Sequence, residues 1–256
     1  MYVNYRISLV YKVSFYKNWG NNMKLYEILS RFYNNDWGKY SSKYVELVLK
    51  IIKIYDLNVK SILDIACGTG VLASELYNKN FEVSGIDISE DMISVAKENV
   101  KGVDFEVADM TEFMLNKKFQ IITCAFDSIN YLTDDKNIKD ALTNILLHLD
   151  DDGFFIFDIN TPILYKERHF GVIHRKINEI EFKQILEYDK ASKIGKTIFD
   201  FGENGIETHI QKAYSVEEMD KFLLECGFKI MNRYKDFKLS PVDDKAYKIF
   251  YVVKKK

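Results

Sequence analysis

Five stretches of this chain end an apolar run with residues able to do chemistry. The first, Asp64-Ile65-Ala66-Cys67-Gly68-Thr69-Gly70, joins a carboxylate to a glycine turn. Asp87-Ile88-Ser89 and Ala108-Asp109-Met110 come next, then Phe126-Asp127-Ser128-Ile129-Asn130-Tyr131 and Asp158-Ile159-Asn160-Thr161. Glycines where a strand turns into a helix let a ligand come close to the backbone, and the helix start offers free amides and a positive dipole. Asp87 follows Gly68 by about 20 residues, the spacing at which a carboxylate can accept from both hydroxyls of a ribose. Asp109 is placed to accept from an exocyclic amine such as that of adenine, with Ile88, Met92 and Met110 able to sandwich the ring. Gly68-Thr69-Gly70-Val71-Leu72-Ala73 also passes as a dinucleotide signature. Asp64 argues against that reading, because it would repel a pyrophosphate; it suits a cationic group.

These residues need a scaffold that brings strand tips together. Alternating patterns predict strands at 61–66, 82–87, 104–108, 119–125 and 154–159, and helices at 71–80, 91–99 and 134–149. Ser89 stands at an N-cap position, and Asp150-Asp151-Asp152-Gly153 reads as a turn into the fifth strand. Short strands alternating with helices give a parallel sheet covered on both faces. Upstream, 24–55 reads as two helices joined by the aromatic connector Tyr33–Tyr40. From 172 to 214 the period shifts to two, predicting three or four antiparallel strands with turns at 193–196 and 202–205. Ser215-Val216-Glu217-Glu218 is a capping-box start for helix 216–226, which Gly227 stops. Strands at 228–237 and 247–253 could form a terminal antiparallel pair. The division is therefore 23–162 with 214–256 as a Rossmann-like domain and 163–213 as a β insertion over it.

The net charge of −2 supplies no global field for nucleic acid, and no apolar run reaches membrane-spanning length. Cys67, Cys124 and Cys226 lack metal or disulfide spacing, so no metal site and a cytoplasmic setting are expected. Residues 1–22 have no clear period. Trp19-Gly20-Asn21-Asn22-Met23 back-translates to a guanine-rich run before an ATG, so we expect either translation from Met23 or a loosely ordered arm. Cys67 reads as a packing residue, and His169, His174 and His209 read as surface histidines.

The stretches at 61–70, 83–92 and 106–110 resemble, in order and spacing, the first three motifs of class I S-adenosylmethionine-dependent methyltransferases. Asp127–Leu132 and the β insertion resemble a small-molecule subgroup of that family. Tyr26-x-x-x-Ser30-x-x-Tyr33-Asn34 resembles its N-terminal signature, with Asn34 where that signature has aspartate. The resemblance implies a seven-stranded Rossmann-like α/β fold. It also implies S-adenosyl-L-methionine as cofactor and a small-molecule acceptor methylated at N or O. By resemblance, Ala66, Gly68 and Gly70 would hold the methionine end with Asp64 near its amino group. Asp87 would bind the ribose and Asp109 the adenine, beside Ile88, Met92 and Met110. Tyr33 and Tyr40 would close over the cofactor, with Phe126 beneath. Asp127, Asn130 and Tyr131 would meet the acceptor. No catalytic base is singled out. A monomer or homodimer acting on neither nucleic acid nor membrane is expected. An NAD-dependent oxidoreductase and a non-catalytic cofactor-binding module on the same fold are the alternatives.

Overall fold

The computed structural model describes residues 24–31, 33–36 and 40–256. The expectation for residues 1–22 lies outside these, as do Phe32 and residues 37–39 of the connector. Five parallel strands come first: β1 (Ser61–Ile65), β2 (Glu82–Asp87), β3 (Asp104–Val107), β4 (Phe119–Cys124) and β5 (Leu149–Asn160). A separate antiparallel sheet follows, from β6 (Gly171–Ile177), β7 (Ile180–Asp189), β8 (Ile194–Asp200) and β9 (Ile206–Lys212). β10 (Phe228–Tyr234) and β11 (Lys248–Lys255) return to the main sheet, whose order is β3-β2-β1-β4-β5-β11-β10. β11 is antiparallel to both its neighbours. This is the expected seven-stranded α/β sheet with its β insertion.

The helices are α1 (Tyr33–Asp36), α2 (Ser41–Ile54), α3 (Val71–Tyr77), α4 (Glu90–Asn99), α5 (Asp135–His148), α6 (Pro162–Arg168) and α7 (Val216–Glu225). Tyr44, Leu47, Val48 and Ile51 of α2 join Leu72 and Leu76 of α3 and Ile93 of α4 in one core. Ile138, Leu142 and Ile145 of α5 join Met219 and Leu223 of α7 in the core on the opposite face. The caps follow the sequence: Ser89 Oγ accepts from the Met92 amide at 3.2 Å, and Ser215 and Glu218 form a complete capping box.

Three expectations need correction. Among the described residues the first helix is absent. Residues 25–28 form a turn, Leu29–Arg31 is one 3₁₀ turn, and the helical residues 33–36 lie in the predicted connector. Tyr26 adopts φ 63°, which no helix allows, and the amides of Ile28 and Leu29 are captured by the Glu207 carboxylate. The turn at 150–153 is instead a bulge inside β5: its register against β4 jumps from Phe119↔Leu149 to Ile121↔Phe154. α6 was not anticipated. Its Tyr165 lies on Gly195 of β8, where a Cβ would come within 2.2 Å of the ring, and so seats the small sheet.

The small sheet buries Phe182, Phe199 and Phe201 together with Ile28 and Leu29, so the N-terminal segment is packed against the insertion. α1 is tied to the glycine loop instead, through a hydrogen bond from the Thr69 hydroxyl to Asn34 Oδ1.

Close packing under the glycine loop is testable at Gly85 in β2. A Cβ there would lie 2.7 Å from the Phe105 ring and 3.0 Å from Cys67 Sγ. Gly85→Ala should destabilise the fold by about 1–3 kcal/mol in a urea titration, and adding Phe105→Leu should recover part of that loss.

Candidate active site: two abutting cavities

The tips of β1, β2 and β3 converge on a cavity of about 500 Å³. Its floor is the glycine loop. Ala66 and Gly68 adopt left-handed φ of 54° and 56°, which folds Cys67 to Gly70 tightly enough for the Gly70 amide to reach Cys67 O at 3.0 Å. Asp87 fixes this shape. Its Oδ2 accepts from the Gly68 amide at 2.8 Å and its Oδ1 from the Ser89 amide at 2.9 Å. Burial nonetheless raises its pKa, against the amides of Ser89 and Gly68. Asp109 Oδ1 accepts from the amide and hydroxyl of Thr111, both at 2.8 Å.

Asp64 is 2% exposed and, among the described residues, receives one hydrogen bond, from Thr123 Oγ1 at 2.8 Å. Burial pushes its carboxyl up to about 7, the Asp87 charge adds to this, and Thr123 opposes it. A buried acid with a single hydroxyl partner is poised to pair with a cation.

A second cavity of about 470 Å³ lies between the tips of β4, β5 and β11 and the small sheet. Tyr26, Tyr33, Phe126 and Tyr131 line both cavities and form their shared wall. Phe126 and Asp127 both have left-handed backbones, φ 59° and 54°. Asp158, fully buried, accepts the Phe126 amide on Oδ1 at 2.8 Å and the Asp127 amide on Oδ2 at 2.9 Å. Lys248 Nζ bridges Asp158 Oδ2 and Asp127 Oδ1, the latter at 2.9 Å, while Gln211 Nε2 donates to Asp127 Oδ2 at 2.8 Å. Burial would lower the Lys248 pKa; the two carboxylates outweigh it and raise it.

Most of the anticipated residues meet at the first cavity: Tyr33, Asp64, Ala66, Gly68, Asp87, Ile88, Met92, Asp109, Met110 and Phe126. Tyr131 lies on the shared wall, and Asp127 lines the second cavity. Three residues fall elsewhere. Gly70 is the left-handed N-cap of α3, packed on Phe105 below the loop. Tyr40 lines the second cavity rather than the first and is half exposed. Asn130 is fully buried behind the wall. Its Nδ2 donates to Asn160 O at 3.0 Å and Lys212 O at 2.7 Å, and its Oδ1 accepts from the Asn160 amide at 2.9 Å, so it joins backbone to backbone.

Sequence reasoning missed Tyr26, Lys248, Gln211 and His209. Lys248 and Gln211 sit in ordinary strand patterns whose alternation names a face but not what lies across from it. His209 is 4% exposed, which corrects its reading as a surface histidine. Alternation in 206–212 was the available signal, since it puts His209 on the same face as Glu207, which is fully buried.

Residues 62–153 match the family model for a methyltransferase domain. A protein of Geobacillus sp. (strain WCH70), provisionally named a methyltransferase, is 28% identical over 209 residues, covering 77% of this chain and 85% of that protein. An S-adenosylmethionine-dependent methyltransferase from Clostridium acetobutylicum shares the fold with a TM-score of 0.77, at 24% identity, over 90% of this chain and 98% of that one. The sugar N-methyltransferase KedS8 from Streptoalloteichus sp. does so with a TM-score of 0.73, at 19% identity, over 96% and 99%. The sheet order is thus the fold of these S-adenosylmethionine-dependent methyltransferases, and residues 62–153, which carry the three strand tips around the first cavity, match a methyltransferase domain.

Proposed function

We propose that the first cavity holds S-adenosyl-L-methionine, that the second admits a small-molecule acceptor, and that a methyl group passes to N or O of that acceptor across their shared wall. The observation that carries this reading is the wall itself: Tyr26, Tyr33, Phe126 and Tyr131 belong to both cavities, so two bound molecules would meet there. The residues fit the cofactor. Asp64 is a buried carboxyl with room for a cationic partner, which the amino group of a methionine end supplies. Asp87 presents a carboxylate toward a ribose. Asp109, with Oδ1 held by Thr111, has Oδ2 left for an adenine amine, and Ile88, Met92 and Met110 supply apolar surface beside it.

When bound, S-adenosyl-L-methionine supplies a methyl group already activated on a sulfonium. The chain's share is alignment and dryness. Aromatic faces at the wall attract positive charge and exclude water. Asp158 and Lys248 fix Phe126 and Asp127 under the junction. The small sheet closes the acceptor side with Gln184, Thr197 and Gln211, beside His169 at the end of α6. A mostly aromatic cleft of about 470 Å³ with a few polar groups favours a metabolite over a macromolecule; with all three cysteines free, a reducing cytoplasm suits the chain, as monomer or homodimer. Incubation with a methyl-labelled donor and a small-molecule cell extract tests the reading: labelled product with S-adenosylhomocysteine is expected, and no transfer to any fraction overturns it.

Two further results are expected. Asp87→Ala should weaken S-adenosylhomocysteine binding about 10- to 100-fold by calorimetry, since each hydrogen bond to a charged group contributes about 1.5–3 kcal/mol. Undiminished affinity would remove the ribose role. A pH dependence follows from Asp64. Its folded pKa, about 7, lies above the ordinary value, so the free protein holds that proton below neutrality. A cation docked beside it favours the ionised form. Binding at pH 6 should therefore release a proton, detected by calorimetry in buffers of different ionisation enthalpy, and affinity should rise as pH climbs through 7. Asp64→Asn should abolish the release; its persistence would assign the proton to Asp87 instead.

A further inference from the structure

We propose that His209, on β9, takes the proton from an amine acceptor through the Tyr131 hydroxyl, with Glu207 holding the imidazole in the form that can receive it. This rests on the methyltransferase reading above for the reaction and deepens it by naming the acceptor class.

Tyr131 stands on the wall between the cavities, and its hydroxyl is 2.8 Å from His209 Nδ1. The Tyr26 hydroxyl lies 2.7 Å from that of Tyr131. On the far side of the ring, His209 Nε2 is 3.5 Å from Glu207 Oε2. Both of those atoms are buried, and neither has a hydrogen-bond partner among the described residues. Glu207 cannot turn away, because its Oε1 holds the amides of Ile28 and Leu29, the latter at 3.1 Å. The groups facing the ring from each packed element are Tyr26 from the N-terminal segment, Tyr131 from the turn 128–131, Phe199 from β8 and Glu207 from β9 itself. Asp127, His169 and Lys248 line the same cavity.

These contacts select one tautomer. With the proton on Nε2, the imidazole presents an N–H to the Glu207 oxygen, and Nδ1 is free to accept from Tyr131. With the proton on Nδ1, a bare nitrogen would face a carboxylate oxygen lone pair to lone pair in a dry site. The Nε2–H form orders the rest: Tyr131 donates to His209, Tyr26 donates to the Tyr131 oxygen, and one lone pair on that oxygen remains for a donor in the cavity.

An amine suits that position. It arrives as an ammonium and attacks only after losing a proton. The wall is aromatic, and two carboxylates, Asp127 and Asp158, flank the single Lys248 ammonium, so the cavity favours positive charge. In the step, the ammonium N–H bond breaks and leaves its electron pair on nitrogen. The proton joins the Tyr131 oxygen as the former Tyr131 proton moves to His209 Nδ1. The imidazolium that results lies against Glu207. Glu207 is thus a positioning residue, and it also fastens the segment that carries Tyr26.

Histidine-labelled ¹⁵N protein loaded with S-adenosylhomocysteine reads the tautomer directly. The His209 ring should carry its proton on Nε2 at pH 8, Tyr131→Phe should shift the Nδ1 resonance, and Glu207→Gln should redistribute the proton between the two nitrogens. A proton on Nδ1 in the wild type overturns the proposal, and this measurement requires no variant to remain active. In the labelled-methyl assay with a small-molecule extract, His209→Gln and Tyr131→Phe should lower S-adenosylhomocysteine release about 10²-fold at pH 7. Release should approach the wild-type rate as pH rises and the amine deprotonates unaided, and His209→Gln, which lies outside the first cavity, should leave S-adenosylhomocysteine affinity unchanged. Wild-type release at pH 7, or an equal loss at every pH, overturns the proton role. Absence of any S-adenosylhomocysteine binding by the wild type overturns the methyltransferase reading instead, and the tautomer still decides the His209 chain.

Discussion

The buried carboxylate of Asp158 holds together the part of the molecule on which both cavities depend. Two consecutive side-chain-bearing residues, Phe126 and Asp127, leave β4 in a left-handed conformation. Each such residue costs of order 1–3 kcal/mol. Asp158 accepts both of their amides, and hydrogen bonds to a charged group are worth about 1.5–3 kcal/mol each, so the two terms offset one another. The charge is in turn neutralised by Lys248, from a strand that runs antiparallel to β5. The last strand of the chain therefore stabilises a turn after the fourth, and that turn supplies half of the wall between the cavities.

The two halves of the site are built on different logic. At the first cavity, backbone shape comes first: the glycine loop and Asp87 form one unit, with the carboxylate occupied by the Gly68 and Ser89 amides. At the second, side chains from distant segments meet. Lys248 comes from β11, Asp127 from the turn after β4, and Gln211, Glu207 and His209 from β9, and the contacts between these three elements set the shape.

That difference explains what was legible in the sequence. The glycine turn, the carboxylates at strand tips and the βα alternation are local patterns of period and spacing, so the sheet and most of the first cavity could be read. The segment 24–31 could not. Its apolar residues recur at helical intervals, but a carboxylate at position 207 takes two of the amides a helix would use. Asn130 looked like a binding residue because it follows a strand, yet its amide is consumed by backbone on two other strands. His209 failed for the same reason in reverse: nothing local reveals that Tyr26, Tyr131 and Phe199 cover it.

Asn130 has one more implication. It bonds at once to Asn160, where the chain departs for the small sheet, and to Lys212, where it returns. The exit and re-entry points are thus pinned side by side, independently of what lies between them. A stretch joined at two neighbouring anchors can be exchanged for another of different length without altering the sheet below. The fold is in that sense a fixed chassis with a replaceable hood, and the second cavity can be reshaped while the first is kept.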